Sequence, residues 1–252
     1  MPETASGVLE TMADLESEIP LDHPIVVTID GPAGTGKSTV ARTLAKRLGL
    51  DFLDTGAMYR AATAIFLDHG FGEDQTGELL STVIGADIHF DWSQDPPVLL
   101  AWDDPMTTRL REQDVTDRVS WVASLGELRG HLVRKQRIIA AQHPRLVTEG
   151  RDQGSVAFPD APVKFYLDAD PEVRAQRRVE QLREEGHAVD ESTMLERILE
   201  RDERDSTRKD GPLMCPEDAI RIDTSELSIG AVVDRMEAAV RERIPALASR
   251  DG

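Results

Sequence analysis

The sequence predicts an α/β fold built on a doubly wound, five-stranded parallel sheet with helices on both faces. Two observations lead to this prediction. Short apolar runs alternate with segments of helical periodicity, and five runs have the length of buried strands: 25–30, 51–54, 145–149, 162–168 and 219–223. A glycine-rich segment, 31–38, joins the first run to the first helical segment. Because such sheets bind ligands outside the carboxyl ends of their strands, we expect the functional site there.

The composition is that of a globular chain with a strongly acidic balance. Its 252 residues carry a formal net charge of −18, which argues against a general nucleic-acid-binding protein, because such proteins need a basic surface. No lysine or arginine precedes Lys37, and we expect residues 1–22 to form a disordered acidic leader. Cys215 is the only cysteine, which excludes a disulfide framework and fits the cytoplasm. No apolar run approaches the ~20 residues of a membrane span.

The first strand, 25–30, and the first helix, 38–48, flank a complete phosphate-binding motif. The segment 31–38, here called the phosphate loop, reads G-P-A-G-T-G-K-S and matches G-x-x-x-x-G-K-[ST]. Its glycines allow backbone N–H groups to surround phosphate oxygens, and the helix N-terminus adds a positive partial charge. Lys37 is expected to reach the β- and γ-phosphates of a nucleoside triphosphate, and the Ser38 hydroxyl to ligate Mg²⁺. The residues expected to bind the triphosphate here are Gly31, Pro32, Ala33, Gly34, Thr35, Gly36, Lys37, Ser38 and Thr39.

The second strand, 51–54, leads into a helix predicted over 57–69. Thr55 has a side chain that suits a helix N-cap, and Arg60 follows about one turn later. Both residues follow the carboxyl end of a strand in the same sheet as the phosphate loop. A second substrate would lie at this edge, beside the triphosphate.

The remaining helices are predicted over 76–84, 114–124, 126–142, 171–185, 190–205 and 228–243. Between 86 and 110 the α/β rhythm breaks. Two alternating segments, 88–91 and 98–102, and turns at 96–97 and 103–105 predict a small antiparallel insert. The charged, irregular stretch 204–216 is expected to be a mobile lid.

These elements predict one domain over 23–246 with a P-loop NTPase fold. The insert is expected to occupy about 57–125 and the helical lid about 186–213. The insert would project from the main sheet.

The segment D-T-G-A-M-Y-R at 54–60 resembles the bacterial-type cytidylate kinases, a branch of the nucleoside monophosphate kinases. Further segments resemble the same family in the expected order over about 24–243: 110–115, 119–123, Arg129, 147–154, 158–164 and 201–208. The acidic leader has no counterpart in the family pattern, and the sequence departs from that pattern at two further points. Glu149 stands where some relatives have aspartate, which keeps a carboxylate for water-mediated contact with Mg²⁺, and a proline is absent before the helix of Arg129.

The resemblance implies transfer of the γ-phosphoryl group of ATP to CMP or dCMP, with Mg²⁺. It implies a P-loop core that carries a monophosphate-binding insert and a lid. It also implies a cytoplasmic enzyme of pyrimidine nucleotide metabolism whose partners are these nucleotides, with neither nucleic acid nor membrane. We expect a monomer.

Carried over by position, the resemblance assigns individual roles. Arg60, Arg151 and Arg208 would hold the acceptor phosphate or bridge it to ATP. The full set expected to bind the acceptor is Thr55, Arg60, Ser120, Arg129, Arg151, Asp152, Asp205 and Arg208, with Ser120, Arg129 and Asp205 at the cytosine and Asp152 at the sugar. The set expected to act in catalysis is Lys37, Arg151, Arg201, Arg204 and Arg208, with Arg177, Arg201 and Arg204 contacting the triphosphate.

The chemistry of these residue types supports the assignments independently. Arginine offers planar, bidentate donors that match phosphate oxygens. A carboxylate such as Asp205 can accept from the cytosine amino group, whereas uracil has a carbonyl there, so we expect the site to disfavour UMP. The spacing of Arg201, Arg204 and Arg208 places them on one helix face if the helix persists that far. Alternatively, Glu200 and Glu203 pair with these arginines on a solvated face.

Two other functions remain open at this point. A shikimate-kinase-like enzyme would phosphorylate a neutral hydroxyl and would need an aspartate base but no large insert. A nucleotide-dependent switch or scaffold would hydrolyse ATP slowly and would use the leader as a docking arm. The insert and the pair Thr55 and Arg60 count against the first alternative.

Overall fold

The computed structural model describes residues 24–184, 186 and 189–250, so the predicted leader at 1–22 lies outside the described residues. The strands are β1 (Ile25–Asp30), β2 (Asp51–Asp54), β3 (His89–Asp91), β4 (Val98–Ala101), β5 (Asp104–Pro105), β6 (Arg145–Gly150), β7 (Val163–Asp168) and β8 (Ile220–Asp223). The α-helices are α1 (Lys37–Leu48), α2 (Thr55–Asp68), α3 (Thr76–Gly85), α4 (Gln113–Val122), α5 (Gly126–Gln142), α6 (Pro171–Glu184), α7 (Glu191–Thr207) and α8 (Ile229–Arg243). Short 3₁₀ turns lie at Arg109–Arg111 and Pro245–Arg250, and a π-helical turn lies at Gln153–Ala157.

The main sheet is parallel and contains five strands in the order β2-β6-β1-β7-β8, which confirms the predicted fold class. The central strand β1 is buried along its whole length, because helices cover both faces of the sheet. Helices α1 and α8 pack on one face in a cluster that includes Ile29 and Leu44. Helices α2 to α5 pack on the other face around Leu53 and Leu132. The register places the carboxyl ends of β1, β2 and β6 at one edge.

Helix α2 begins two residues before its predicted start, and its N-cap is Asp54 rather than Thr55. The Asp54 side chain accepts a hydrogen bond of 2.9 Å from the backbone N–H of Ala57. The Thr55 hydroxyl instead donates to the carbonyl of Glu149, at 2.7 Å, and fastens the start of α2 to β6. Aspartate and threonine both cap helices well, so this tertiary hydrogen bond, rather than local preference, separates their roles.

The insert contains a three-stranded antiparallel sheet, in the order β3-β4-β5. The sequence predicts two of these strands, but its predicted turn at 103–105 is wrong in part. Asp104–Pro105 forms the third strand and pairs with Leu100 and Ala101. The hairpin turn consists of Trp102 and Asp103, whose φ angles of 52° and 63° are those of a tight hairpin. A strand of two residues is too short to show alternation in the sequence.

Helix α7 ends at Thr207, two residues beyond its predicted end, and Arg208 is its C-cap residue in extended conformation. Helices α6 and α7 share a small apolar cluster of their own, formed by Ala175, Val179, Leu182, Met194 and Ile198. The chain then folds back on α7, since the backbone N–H of Leu213 donates to the carbonyl of Asp205 at 2.7 Å. Mobility of this segment stays a prediction.

Within residues 24–184, 186 and 189–250, none of the helices combines the length and apolar character that crossing a bilayer requires.

Candidate active site

The phosphate loop follows the carboxyl end of β1 and leads directly into α1. Gly36, at φ 86°, is the N-cap residue of α1 and supplies no side-chain cap, so the first N–H groups of the helix face the loop. Lys37 is buried, and its ammonium group donates to the carbonyl of Pro32 at 2.6 Å. Burial, and next the charge of Arg151, lowers the pKa of Lys37 to about 7. A phosphate beside this ammonium group would raise the pKa again.

Oxygen donors that suit a divalent cation lie next to the loop. The Ser38 hydroxyl donates to Glu149 Oε1 at 2.6 Å, and Glu149 is the register partner of Asp54 on the neighbouring strand. Burial, and next the charge of Glu149, raises the pKa of Asp54 to about 7. A hydroxyl beside two carboxylates fits Mg²⁺, which uses one or two carboxylates and takes its other ligands from phosphates and water. The described residues contain no group of three or more His, Cys, Asp or Glu side chains arranged for a metal ion.

Three arginines surround Asp205 of α7, and we call Arg151, Arg201 and Arg208 the arginine cluster. Arg151 Nε donates to Asp205 Oδ2 at 3.0 Å. Arg201 Nε lies 3.9 Å from the same oxygen, and Arg208 lies 3.9 Å from Asp205 Oδ1. Burial raises the pKa of Asp205, but the charges of Arg151, Arg201 and Arg208 outweigh burial, and the net pKa lies below its usual value.

Donors of the arginine cluster remain available for a ligand. Arg201 Nε and one terminal nitrogen of Arg208 are buried and have no hydrogen-bond partner in the part of the chain that the structure describes. Burial, and next the charge of Arg151, lowers the pKa of Arg201 to about 10. An anion placed at these donors would satisfy them and relieve the repulsion between the arginines.

A buried ion pair lies beside the cluster. Arg129 of α5 donates to Asp152 Oδ2, and its guanidinium group also donates to the carbonyl of Ala123 at 2.9 Å and covers the ring of Tyr59. Gly211 lies directly on this ion pair, because a Cβ at Gly211 would overlap Asp152 Oδ2 and a terminal nitrogen of Arg129. The segment after α7 therefore covers the two residues predicted to contact the cytosine and the sugar.

Other predicted acceptor residues lie around this centre. Arg60 donates to the carbonyl of Leu110 at 3.1 Å and to the Thr116 hydroxyl at 3.0 Å, so the insert holds its side chain. Ser120 is buried on α4. The Thr55 hydroxyl is engaged with Glu149, as described above.

Two predicted triphosphate contacts lie outside the arginine cluster. Arg204 is exposed and pairs with Glu200 at 2.8 Å, on the side of α7 that faces solvent. Arg177 donates to the carbonyl of Thr224 at 2.6 Å, next to the phosphate loop, since the Thr224 hydroxyl lies 3.4 Å from the carbonyl of Thr35. The structure thus brings Arg177 to the loop but leaves Arg204 apart.

Asp30, which is buried at the end of β1, is a site residue that was not predicted from the sequence. Its carboxylate accepts from the backbone N–H groups of Gln153, at 2.8 Å, and Gly154, at 2.7 Å. Burial raises its pKa to about 6, although these two N–H groups lower it in part. Asp30 fixes the turn that carries Arg151 and Asp152. An aspartate at the end of an apolar strand, directly before the phosphate loop, is the sequence feature that could have identified it.

Comparisons with known proteins show the family of this chain. The cytidylate kinase family model matches residues 27–242. The chain is 45% identical to a cytidylate kinase of Streptococcus pyogenes serotype M5 (strain Manfredo) over 210 residues, 83% of this chain and 92% of that protein. It is 44% identical, with the same coverage, to a cytidylate kinase of Streptococcus pyogenes serotype M12 (strain MGAS2096). Among solved structures, it aligns with shikimate kinase from Bacteroides thetaiotaomicron at a TM-score of 0.44 and 15% identity, over 86% of this chain and 98% of that chain. On the family match and the identity to these relatives, the chain belongs to the cytidylate kinase family.

Proposed function

We propose that this protein transfers the γ-phosphoryl group of ATP to CMP or dCMP. The observation that carries the proposal is the position of the arginine cluster and the Arg129–Asp152 ion pair beside the phosphate loop, in a chain that belongs to the cytidylate kinase family. The phosphate loop supplies the donor site. Arg151 and Arg208 of the arginine cluster supply cations for the acceptor phosphate, and Arg201 supplies one for the triphosphate. Asp152, Arg129 and Asp205 supply hydrogen-bonding groups for a sugar and a base.

The chemistry requires no general base. A phosphate monoester has a second pKa of ~6 and is already ionised at neutral pH, so its oxygen attacks as an anion. The site must instead bring two anions together and stabilise the charge that develops on the transferred group. Lys37 and the arginine cluster would do this, since the charges of Arg151 and Arg201 act on the Lys37 ammonium group. Mg²⁺, held beside Ser38, Glu149 and Asp54, would neutralise the donor phosphates.

The acceptor base is read, in this proposal, by Asp205 and Arg129. Cytosine presents an amino donor and two ring acceptors, which match a carboxylate and an arginine. Uracil presents a carbonyl in place of the amino group and would meet the Asp205 carboxylate acceptor to acceptor. The same geometry gives no reason to expect a neutral hydroxyl acceptor, since the cluster provides cations for a second phosphate.

The test is the release of ADP from ATP and Mg²⁺ with CMP, dCMP, UMP, AMP, GMP or shikimate offered separately. We expect rapid turnover with CMP and dCMP, and turnover with UMP at least about tenfold slower. The Lys37→Ala variant is the matched control, because any activity that it retains at the wild-type rate comes from a contaminating kinase. Turnover with shikimate alone, or with no acceptor, would overturn the proposal.

A further inference from the structure

Arg174 of α6 is a buried arginine that neither the sequence motifs nor the proposed chemistry uses. Its side chain is 4% exposed and binds three different parts of the molecule. Its Nε donates to the carbonyl of Ala169 at 2.9 Å, at the end of β7. One terminal nitrogen donates to the carbonyl of Ala33 in the phosphate loop at 3.2 Å and lies 2.7 Å from Asp202 Oδ2 on α7.

The phosphate loop is shaped to receive Arg174. Gly34 has a φ of +86°, and a Cβ at Gly34 would lie 3.1 Å from the Cβ of Arg174. The loop backbone therefore packs against the first turns of α6, and the carbonyl of Ala33 points to the guanidinium group. A change in the position of this group would change the position of the loop.

The partner of Arg174 on α7, Asp202, fixes the rotation of this helix about its own axis. Its neighbour Arg201 belongs to the arginine cluster, and Asp205 lies three residues further along the helix. Because these positions lie on one side of α7, an anchor at Asp202 determines where Arg201 and Asp205 face. Asp202 Oδ1 is buried without a hydrogen-bond partner in the described part of the chain, so the carboxylate is held by Arg174 through its other oxygen.

We infer that Arg174 is a positioning residue for phosphoryl transfer, which acts through Asp202 to hold the arginine cluster in register with the phosphate loop. The inference rests on the proposed function. The donor phosphates lie on one side of the transferred group and the acceptor phosphate on the other. One guanidinium group links the elements that hold them, so a shift of about 1 Å at this link would misalign the two reacting oxygens.

A purely structural role for the Arg174–Asp202 pair predicts a different result. Helices α6 and α7 already share five buried apolar residues, so α7 remains attached to α6 without the ion pair. Loss of the pair should therefore lower kcat strongly and change the melting temperature little. Loss of a purely structural ion pair would instead lower the melting temperature and leave kcat nearly unchanged.

The experiment is a double-mutant cycle with Arg174→Lys, Asp202→Asn and the double variant, with kcat for CMP, KM for ATP, KM for CMP and thermal unfolding measured for each. Each single substitution is expected to lower kcat by about 10- to 100-fold, with KM for ATP changed less than about threefold. The double variant should be no slower than the slower single variant, because both substitutions break one link. Asp234→Asn, which breaks the exposed pair of Asp234 on α8 with Arg47 on α1, is the matched control and should leave kcat unchanged.

Each other outcome overturns the inference. If the fold-losses in kcat of the two single variants multiply in the double variant, Asp202 acts on Arg151 rather than through Arg174. An unchanged kcat with a lower melting temperature, or loss of folding in both single variants, would assign a structural role. If the wild-type protein fails to phosphorylate CMP, the proposed function fails instead. The rate of ATP hydrolysis without an acceptor is then measured for the same variants, because hydrolysis uses the same loop and helix.

Discussion

At the scale of single residues, Asp205 connects the phosphate and base parts of the acceptor site. It is one carboxylate in contact with three arginines, and it is also the residue that we expect to read the cytosine amino group. Sequence reasoning identifies the residue and its type. It does not reveal the pairing with Arg151, because the two are 54 positions apart in the chain and only the fold brings them together.

The Asp205→Asn variant tests both roles. Asparagine keeps the shape of the side chain but removes the charge, and its amide can donate to the uracil carbonyl. We expect KM for CMP to rise by about 10- to 100-fold and the preference for CMP over UMP in kcat/KM to fall. An unchanged preference would show that another residue reads the base.

Lys37 gives a prediction about protons. Its pKa of about 7 leaves the amine mostly neutral at pH 8 in the free enzyme, whereas the phosphates of bound ATP raise that pKa. Binding of ATP at pH 8 should therefore take up about one proton per site. Calorimetric titration in buffers of different ionisation enthalpy measures this uptake. In the Lys37→Arg variant the guanidinium is always charged, so the uptake should vanish, and a wild-type heat that is independent of buffer would contradict the assignment.

At the scale of elements, helix α7 shows what periodicity can and cannot predict. The spacing of its arginines places Arg201 and Arg204 near one another on the helix, but spacing does not say which side faces the site. In the structure, Arg201 is 25% exposed and turns towards Asp205, whereas Arg204 is 57% exposed and pairs with Glu200. The partner of a charged helix face is set by tertiary packing, here by Met194 and Ile198 against α6, and so is absent from the local pattern.

The two sides of α7 should therefore differ in function. We expect Arg201→Ala to lower kcat by about 10²-fold or more, since it removes a cation from the reacting phosphates. Arg204→Ala should change kcat by less than about threefold, because an exposed pair contributes little. Steady-state kinetics with CMP compare the two variants directly. Equal losses would indicate that α7 rotates on nucleotide binding and brings Arg204 into the site.

At the scale of the whole molecule, the five parallel strands, the helices and the phosphate loop could be predicted from the sequence because each depends on local periodicity or on a motif. The order of the strands in the sheet was not predicted. The third insert strand at Asp104–Pro105 was missed because two residues are too short to show alternation. The choice of Asp54 over Thr55 as cap and the role of Arg174 could not be predicted because they depend on residues distant in the chain, Glu149 and Asp202. The acceptor site is likewise assembled from β6, α5 and α7, so a ligand bound there should stabilise these parts together.

Thermal unfolding measures that stabilisation. CMP at about 100 times its Kd should stabilise the folded state by ~2.7 kcal/mol. For a domain of this size, that corresponds to a rise in Tm of about 5–10 °C. UMP at the same concentration should give a smaller rise. An equal shift with both nucleotides would mean that the site binds the phosphate and sugar without reading the base.

The arginine cluster contains more positive charges than Asp205 can neutralise. Three guanidinium groups face the single carboxylate of Asp205, which leaves two positive charges in excess. A nucleoside monophosphate carries close to two negative charges at neutral pH. A dianion therefore balances the combined charge of the arginine cluster and Asp205, whereas a monoanion leaves one positive charge. A sulfate ester of cytidine, which has the same shape but a single charge, should leave the balance incomplete and bind more weakly, and CMP itself should lose affinity as the pH falls below ~6.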